Sequence, residues 1–225
     1  MESETKEQTL QQTIERLTGE LEKEKRKNKS KEKILDAAIN MFSQKGFDNS
    51  STSDIAKEAG VAEVTLFRNF QSKNNLLYQI LSPLFIKMTS PIILKEVKSQ
   101  FSAVEGASEE VLISIFKDRL DLIEKNNKVV QVLLREALNR EEILESIVNN
   151  ITIPAKKEAL EFVQRMKDKG EFRDVQEQAV VDLLFYTMFG YVLSHHVFQI
   201  ETFSNEQDEV VETLVDLLLN GLKSN

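Results

Sequence analysis

Gly60 stands between two short segments that each carry helical apolar spacing, and this arrangement restricts the fold more than any other feature of the chain. The first segment opens Ser51-Thr52-Ser53-Asp54. A serine with an acid three residues later is a helix-start signature, because hydroxyl and carboxylate take up N–H groups that the first turn leaves unbonded. Ile55, Ala56 and Ala59 are its inward positions. Gly60 supplies the positive φ of a tight turn without the clash of a Cβ, and Val61 is expected to plug that turn. A second segment runs from about Ala62 to Phe70 with Leu66 and Phe70 one turn apart on its inner side. Glu63, Thr65, Arg68 and Asn69 are left at or beside the outer side. Two short helices joined by a glycine-containing turn form a helix-turn-helix.

In that motif the second helix enters the major groove of DNA. Just upstream, ILDAAINMFSQKGFDNSS reads as one amphipathic helix with Ile34, Leu35, Ala38 and Phe42 inward, ending at Gly46. Residues 31–77 closely resemble the DNA-binding domain of the tetracycline-repressor (TetR/AcrR) family of bacterial regulators. The matching marks are Ala37-Ala38, Phe42, Gly46, Ile55-Ala56, Ala59-Gly60-Val61, Thr65-Leu66-Phe67, Phe70, and Ser72-Lys73 before Leu76-Leu77. The resemblance implies an all-α protein with an N-terminal three-helix helix-turn-helix domain and then a helical ligand-binding and dimerisation domain. The segments are then 1–30, a helical or disordered extension; 31–77, the DNA-binding domain; and 78–225, the effector-binding and dimerisation domain.

Composition agrees with that class. Only seven Gly and three Pro interrupt 225 residues, which favours helices. The absence of cysteine excludes disulfides, thiolate metal sites and cysteine nucleophiles, and fits a reducing cytoplasm. No apolar run has the length of a membrane span, and the polar, highly charged first thirty residues do not read as a signal peptide. The expected location is cytoplasmic, with the nucleoid as the place of DNA-bound molecules. The net charge of −8 is unevenly spread. Residues 28–75 carry seven Lys and Arg against six Asp and Glu, so the acid excess lies beyond them. A weakly basic head predicts modest non-specific affinity and reliance on two half-sites held by a dimer.

Leu10, Ile14, Leu17 and Leu21 fall at heptad spacing, followed by a basic run from Lys23 to Lys29. Two readings stay open: a two-heptad coiled coil, or a charged, fraying helical tail. A helix starting at Ser72-Lys73 meets Pro83, which predicts a kink or a stop, and Pro91 marks another break. Apolar faces then predict helices over 108–126, 128–150, from near Pro154 to Lys169-Gly170, 175–200 and 206–222. Residues 179–193 are apolar nearly all round, so they require burial on more than one side. By resemblance, helices near 154–169 and 176–199 pack against a second copy as a four-helix bundle, with Gly190 allowing close approach.

The resemblance places DNA contacts at Ser51, Thr52, Ser53, Thr65, Phe67, Arg68, Asn69 and Lys73. Hydroxyls and free N–H groups near Ser51–Ser53 suit phosphate. Arg68 suits bidentate reading of guanine, with a phosphate contact as the alternative. Phe67, Ala62 and Asn69 depart from the family's usual Tyr, Ser and His. Glu63 brings a charge that phosphate repels, unless its carboxylate accepts from a cytosine amino group.

The family's effector pocket maps to Phe85, Met88, Phe101, Phe116, Leu133, Phe162, Met166, Phe185, Tyr186 and Phe189, for each of which plain core is the alternative. Arg135, Glu136 and Asn139 read either as polar groups of that pocket or as a salt-bridged face. His195 and His196 diverge by about 100° on a helix and read as surface or interface residues, so neither metal nor cofactor is expected. No phosphate loop or nucleophile elbow is present, and an enzyme is not expected. The expected function is a homodimeric repressor of a palindromic DNA operator, released by a small apolar effector. The alternative is a helical scaffold or co-regulator that works through protein partners by way of its N-terminal heptads.

Overall fold

The computed structural model describes residues 9–21, 29–89 and 108–220, and every regular element among them is helical. Five helices lead: α1 (Leu10–Leu21), α2 (Lys29–Lys45), α3 (Thr52–Glu58), α4 (Glu63–Phe70) and α5 (Lys73–Thr89). Six more follow: α6 (Ser108–Lys125), α7 (Asn127–Ala137), α8 (Glu141–Ile147), α9 (Ile153–Asp168), α10 (Glu177–Val192) and α11 (Gln207–Asn220). None of the described helices is long and apolar enough to cross a membrane. Pro91, Phe101 and the basic residues Lys23–Lys27 lie outside the described residues.

The chain divides into two packing units. One combines Met1–Ser90 with Lys128–Ile151, the other Pro91–Asn127 with Thr152–Asn225. These units do not coincide with the segments 31–77 and 78–225, since α5, most of α7, and α8 pack with the helix-turn-helix.

In the first unit α2 rests on α3, α4 and α5, burying Ile34, Ala37, Ala38, Met41 and Phe42, whereas Leu35 is only half-buried. Gly46 closes α2 at φ +82°. The α1 helix packs along α5 and touches α8, with Leu10, Thr13 and Ile14 buried. The first two positions of the heptad seam, Leu10 and Ile14, are thus occupied within the chain. Pro83 does not stop α5, which runs on to Thr89. The proline sits on the exposed side, where a missing N–H costs least, and Ser82 Oγ donates to the Tyr78 carbonyl at 2.6 Å.

The helix expected over 128–150 is two helices. Asn139 N–H bonds the Glu136 carbonyl at 3.0 Å, and its side-chain amide bonds the Arg135 carbonyl at 3.1 Å, so an asparagine ends α7 without glycine or proline. After α8 a wider π-helical turn, Val148–Thr152, leads directly into α9. It lies where Pro154 withholds its N–H from the preceding turn.

In the second unit α6 packs on α11, and α9 packs on α10. Val181, Leu184 and Val192 turn α10 inward, while Leu183, Tyr186 and Phe189 stand exposed at 49%, 67% and 54%. His196 is buried at 3% exposure with Nδ1 3.3 Å from Glu124 Oε2, which corrects its reading as a surface residue. The π-helical turn Leu193–Val197 after α10 carries it inward.

Candidate nucleic-acid interface

Local chemistry builds the motif as its sequence requires. Ser51 Oγ accepts the Asp54 N–H at 3.0 Å and donates to Asp54 Oδ2 at 2.6 Å, so hydroxyl and carboxylate cap α3 together. Gly60 turns at φ +66°, and the Val61 N–H bonds the Ala56 carbonyl at 3.0 Å. Val61 is half-buried under the turn. Ala62 provides no side-chain cap for α4, so that start forgoes about 1 kcal/mol. Of the eight residues in α4, only Leu66 and Phe70 are buried. They anchor one side of the helix to α2 and α5, and the opposite side faces out.

That outer side carries Glu63, Val64, Phe67 and Arg68, with Val64 at 73% and Phe67 at 42% exposure. Two apolar side chains on such a surface suit thymine methyl groups, and a guanidinium beside them suits guanine O6 and N7. Val64 was not among the residues singled out from sequence. Its place one turn before Phe67 and Arg68 was the available signal.

The other candidates are placed as follows. Ser51 and Ser53 are exposed at the start of α3, and Thr52 is half-buried there. Thr52 Oγ1 donates to Glu63 Oε1 at 2.6 Å, tying the two helices of the motif together. Thr65 is half-buried, and its carbonyl accepts the Asn69 side-chain amide at 2.7 Å. Lys73 does not extend freely outward. Its ammonium lies 4.2 Å from the centre of the Phe47 ring and is held below its ordinary pKa by burial, with Asp48 acting in the opposite sense. Arg140 Cζ also lies 4.2 Å from that ring centre, and Arg140 contacts Glu136 at 3.1 Å and Asp48 at 3.9 Å.

Glu136 and Arg140 therefore brace the head. The salt-bridged reading of Glu136 is the observed one, while Asn139 caps α7. Among the effector-pocket candidates, Phe85 and Leu133 are buried and Met88 half-buried in the first unit. Phe116, Phe162 and Met166 are buried and Phe185 half-buried in the second. Phe162 packs edge-on against Phe172 at 6.0 Å. Tyr186 and Phe189 do not face an interior, because α10 is apolar on both sides and these two lie opposite its buried row.

An exposed second helix with a buried two-residue anchor, set by a capped first helix and a glycine turn, defines a helix-turn-helix regulator. Residues 34–80 match the model of the bacterial regulatory proteins of the tetR family, and this segment is a DNA-binding domain of that family. It is 25% identical over 196 residues to YvkB, an uncharacterized HTH-type transcriptional regulator of Bacillus subtilis (strain 168), covering 86% of this chain and 97% of that one. It is 35% identical over 70 residues to IcaR of Staphylococcus aureus (strain Newman), the negative transcriptional regulator of the biofilm operon icaADBC, covering 31% of this chain and 38% of that one. The MbdR regulator from Azoarcus sp. CIB shares the fold with a TM-score of 0.68 at 15% identity, covering 87% of this chain and all of the other.

Proposed function

We propose that the protein is a homodimeric transcriptional repressor that binds a palindromic operator through two copies of α4 and is released by a small apolar effector held within residues 78–225. The observation carrying this reading is the outward face of α4, where Val64, Phe67 and Arg68 stand exposed over the buried pair Leu66 and Phe70. Ser53 and the backbone N–H groups of the first turn of α3 meet phosphate, and Arg68 reads a base edge. The exposed apolar row Leu183, Tyr186 and Phe189, with Gly190 next to it, supports pairing of α9 and α10 with a second copy. IcaR is named as a negative regulator, and repression is carried over from it.

Effector release acts through α5, with Pro83 as the point of flexure, and depends on the effector's differential affinity for two settings of that helix. If Pro83→Ala leaves release unchanged, that role falls. The scaffold alternative relied on free N-terminal heptads, and Leu10 and Ile14 are buried inside the chain. A mobility-shift titration against the DNA upstream of its own gene tests the reading. Specific retardation that Arg68→Ala abolishes supports it, whereas no specific retardation at low salt favours the scaffold.

A further inference from the structure

We infer that Glu63 is a specificity-determining residue that selects a cytosine in each operator half-site, and that Thr52 is its positioning residue; this rests on the DNA-binding reading above. Glu63 is the first residue of α4 and is exposed. In a helix-turn-helix the N-terminal residues of the second helix meet base edges, while phosphates are met from around them. A carboxylate here faces the groove floor.

Its geometry is fixed by the motif's other helix. Thr52 Oγ1 donates to Glu63 Oε1 at 2.6 Å across eleven positions of sequence. One carboxylate oxygen is therefore engaged, the rotamer is held, and no hydrogen bond to Oε2 is found among the described residues. The same bond withdraws the Thr52 hydroxyl proton from phosphate. Had phosphate been the target of this corner, a hydroxyl alone would serve it better than a hydroxyl tied to a negative charge.

An ionised carboxylate only accepts hydrogen bonds. In the major groove guanine offers acceptors at N7 and O6, and thymine an acceptor at O4 beside a methyl group. Adenine sets its N6 donor beside the N7 acceptor, which repels a second carboxylate oxygen. Cytosine presents the N4 amino group without an adjacent acceptor on its own edge. A carboxylate fixed at this position is thus attracted by one base and repelled or poorly met by the other three.

The test is selection of binding sites from a random duplex library by the full-length chain, followed by affinity measurements on the selected duplex. The wild-type chain is expected to enrich sites with an invariant cytosine at one position per half-site. Glu63→Gln, whose amide pairs with adenine N6 and N7, is expected to change the preference at that position alone and to bind the original site about 10-fold more weakly. Thr52→Val is expected to reduce discrimination at the same position several-fold, and Thr52→Ser to restore it. Unchanged base preferences in Glu63→Gln overturn the inference and leave Glu63 as a brace between helices, with the DNA-binding reading intact. Failure of the wild-type chain to enrich any sequence instead removes the DNA-binding reading, and this assignment with it.

Discussion

The backbone N–H of Phe47 donates to the Glu136 carboxylate at 3.4 Å, joining residues 89 positions apart. Glu136 is 5% exposed, and its other oxygen accepts Arg140 Nε at 3.1 Å. Without the carboxylate, a buried N–H loses its acceptor and the partly buried Arg140 guanidinium loses the nearest of its acceptors. Glu136→Ala is expected to cost about 2–3 kcal/mol, seen as a lower urea midpoint at unchanged slope. Glu136→Gln, which keeps volume and acceptor, should cost less. Equal midpoints for Glu136→Ala and wild type would show that the bridge contributes nothing.

Leu10 is almost wholly buried where α1 lies along α5. Leu10→Ala is expected to lower stability by about 2–3 kcal/mol through the cavity it leaves. Sedimentation should show an unchanged particle mass. A change of mass without a change of stability would return the seam to an intermolecular role.

Gly60 sits at φ +66° with open space where a Cβ would be. The cost of Gly60→Ala is therefore conformational alone, about 1–2 kcal/mol. Gly60→Asn should cost less, since asparagine enters this region more readily. Equal losses in thermal melts of the two variants would mean that something other than backbone preference fixes the turn.

Burial lowers the pKa of His196 below its ordinary 6.5, with Glu124 raising it and His195 lowering it further. The unfolded chain therefore takes up the proton first as pH falls. The neutral buried ring's contribution is complete above about 6.5 and is lost as pH drops through the folded-state value. The difference in melting temperature between pH 7.5 and pH 5 is expected to shrink in His196→Asn. An unchanged difference would assign the acid sensitivity to carboxylates.

Tyr186 is 67% exposed in the apolar row of α10. Tyr186→Asp is expected to yield monomers in sedimentation at micromolar concentration, and to lower operator affinity while leaving α4 unaltered. A dimeric variant would place the subunit contact elsewhere.

What the sequence disclosed was local. The cap of Ser51 with Asp54, the turn at Gly60 and the anchor of Leu66 with Phe70 each depend on residues within a turn or two, so spacing alone located them. The bridge from Glu136 to Phe47 has no such spacing, and nothing near either residue announces its partner. The heptads of α1 were visible as a periodic seam, but periodicity is the same whether the facing helix belongs to another chain or to α5. In α10 the apolar residues run on both sides, so pattern gave no means of sorting inward Leu184 from outward Tyr186. The break after Ala137 carries neither glycine nor proline, because an asparagine side chain makes it.

The docking of α1 also has a consequence for synthesis. Its partners are α5 and α8, and α8 ends at Ile147. The ribosome therefore releases the first helix long before it has made the last surface that helix rests on. At about 5–20 residues per second, several seconds pass between the making of Leu10 and Ile14 and the completion of that last surface. Shelter for Leu10 and Ile14 thus begins with α5 and is completed only by α8, so the nascent chain holds this seam half-covered while the residues between those two helices are made.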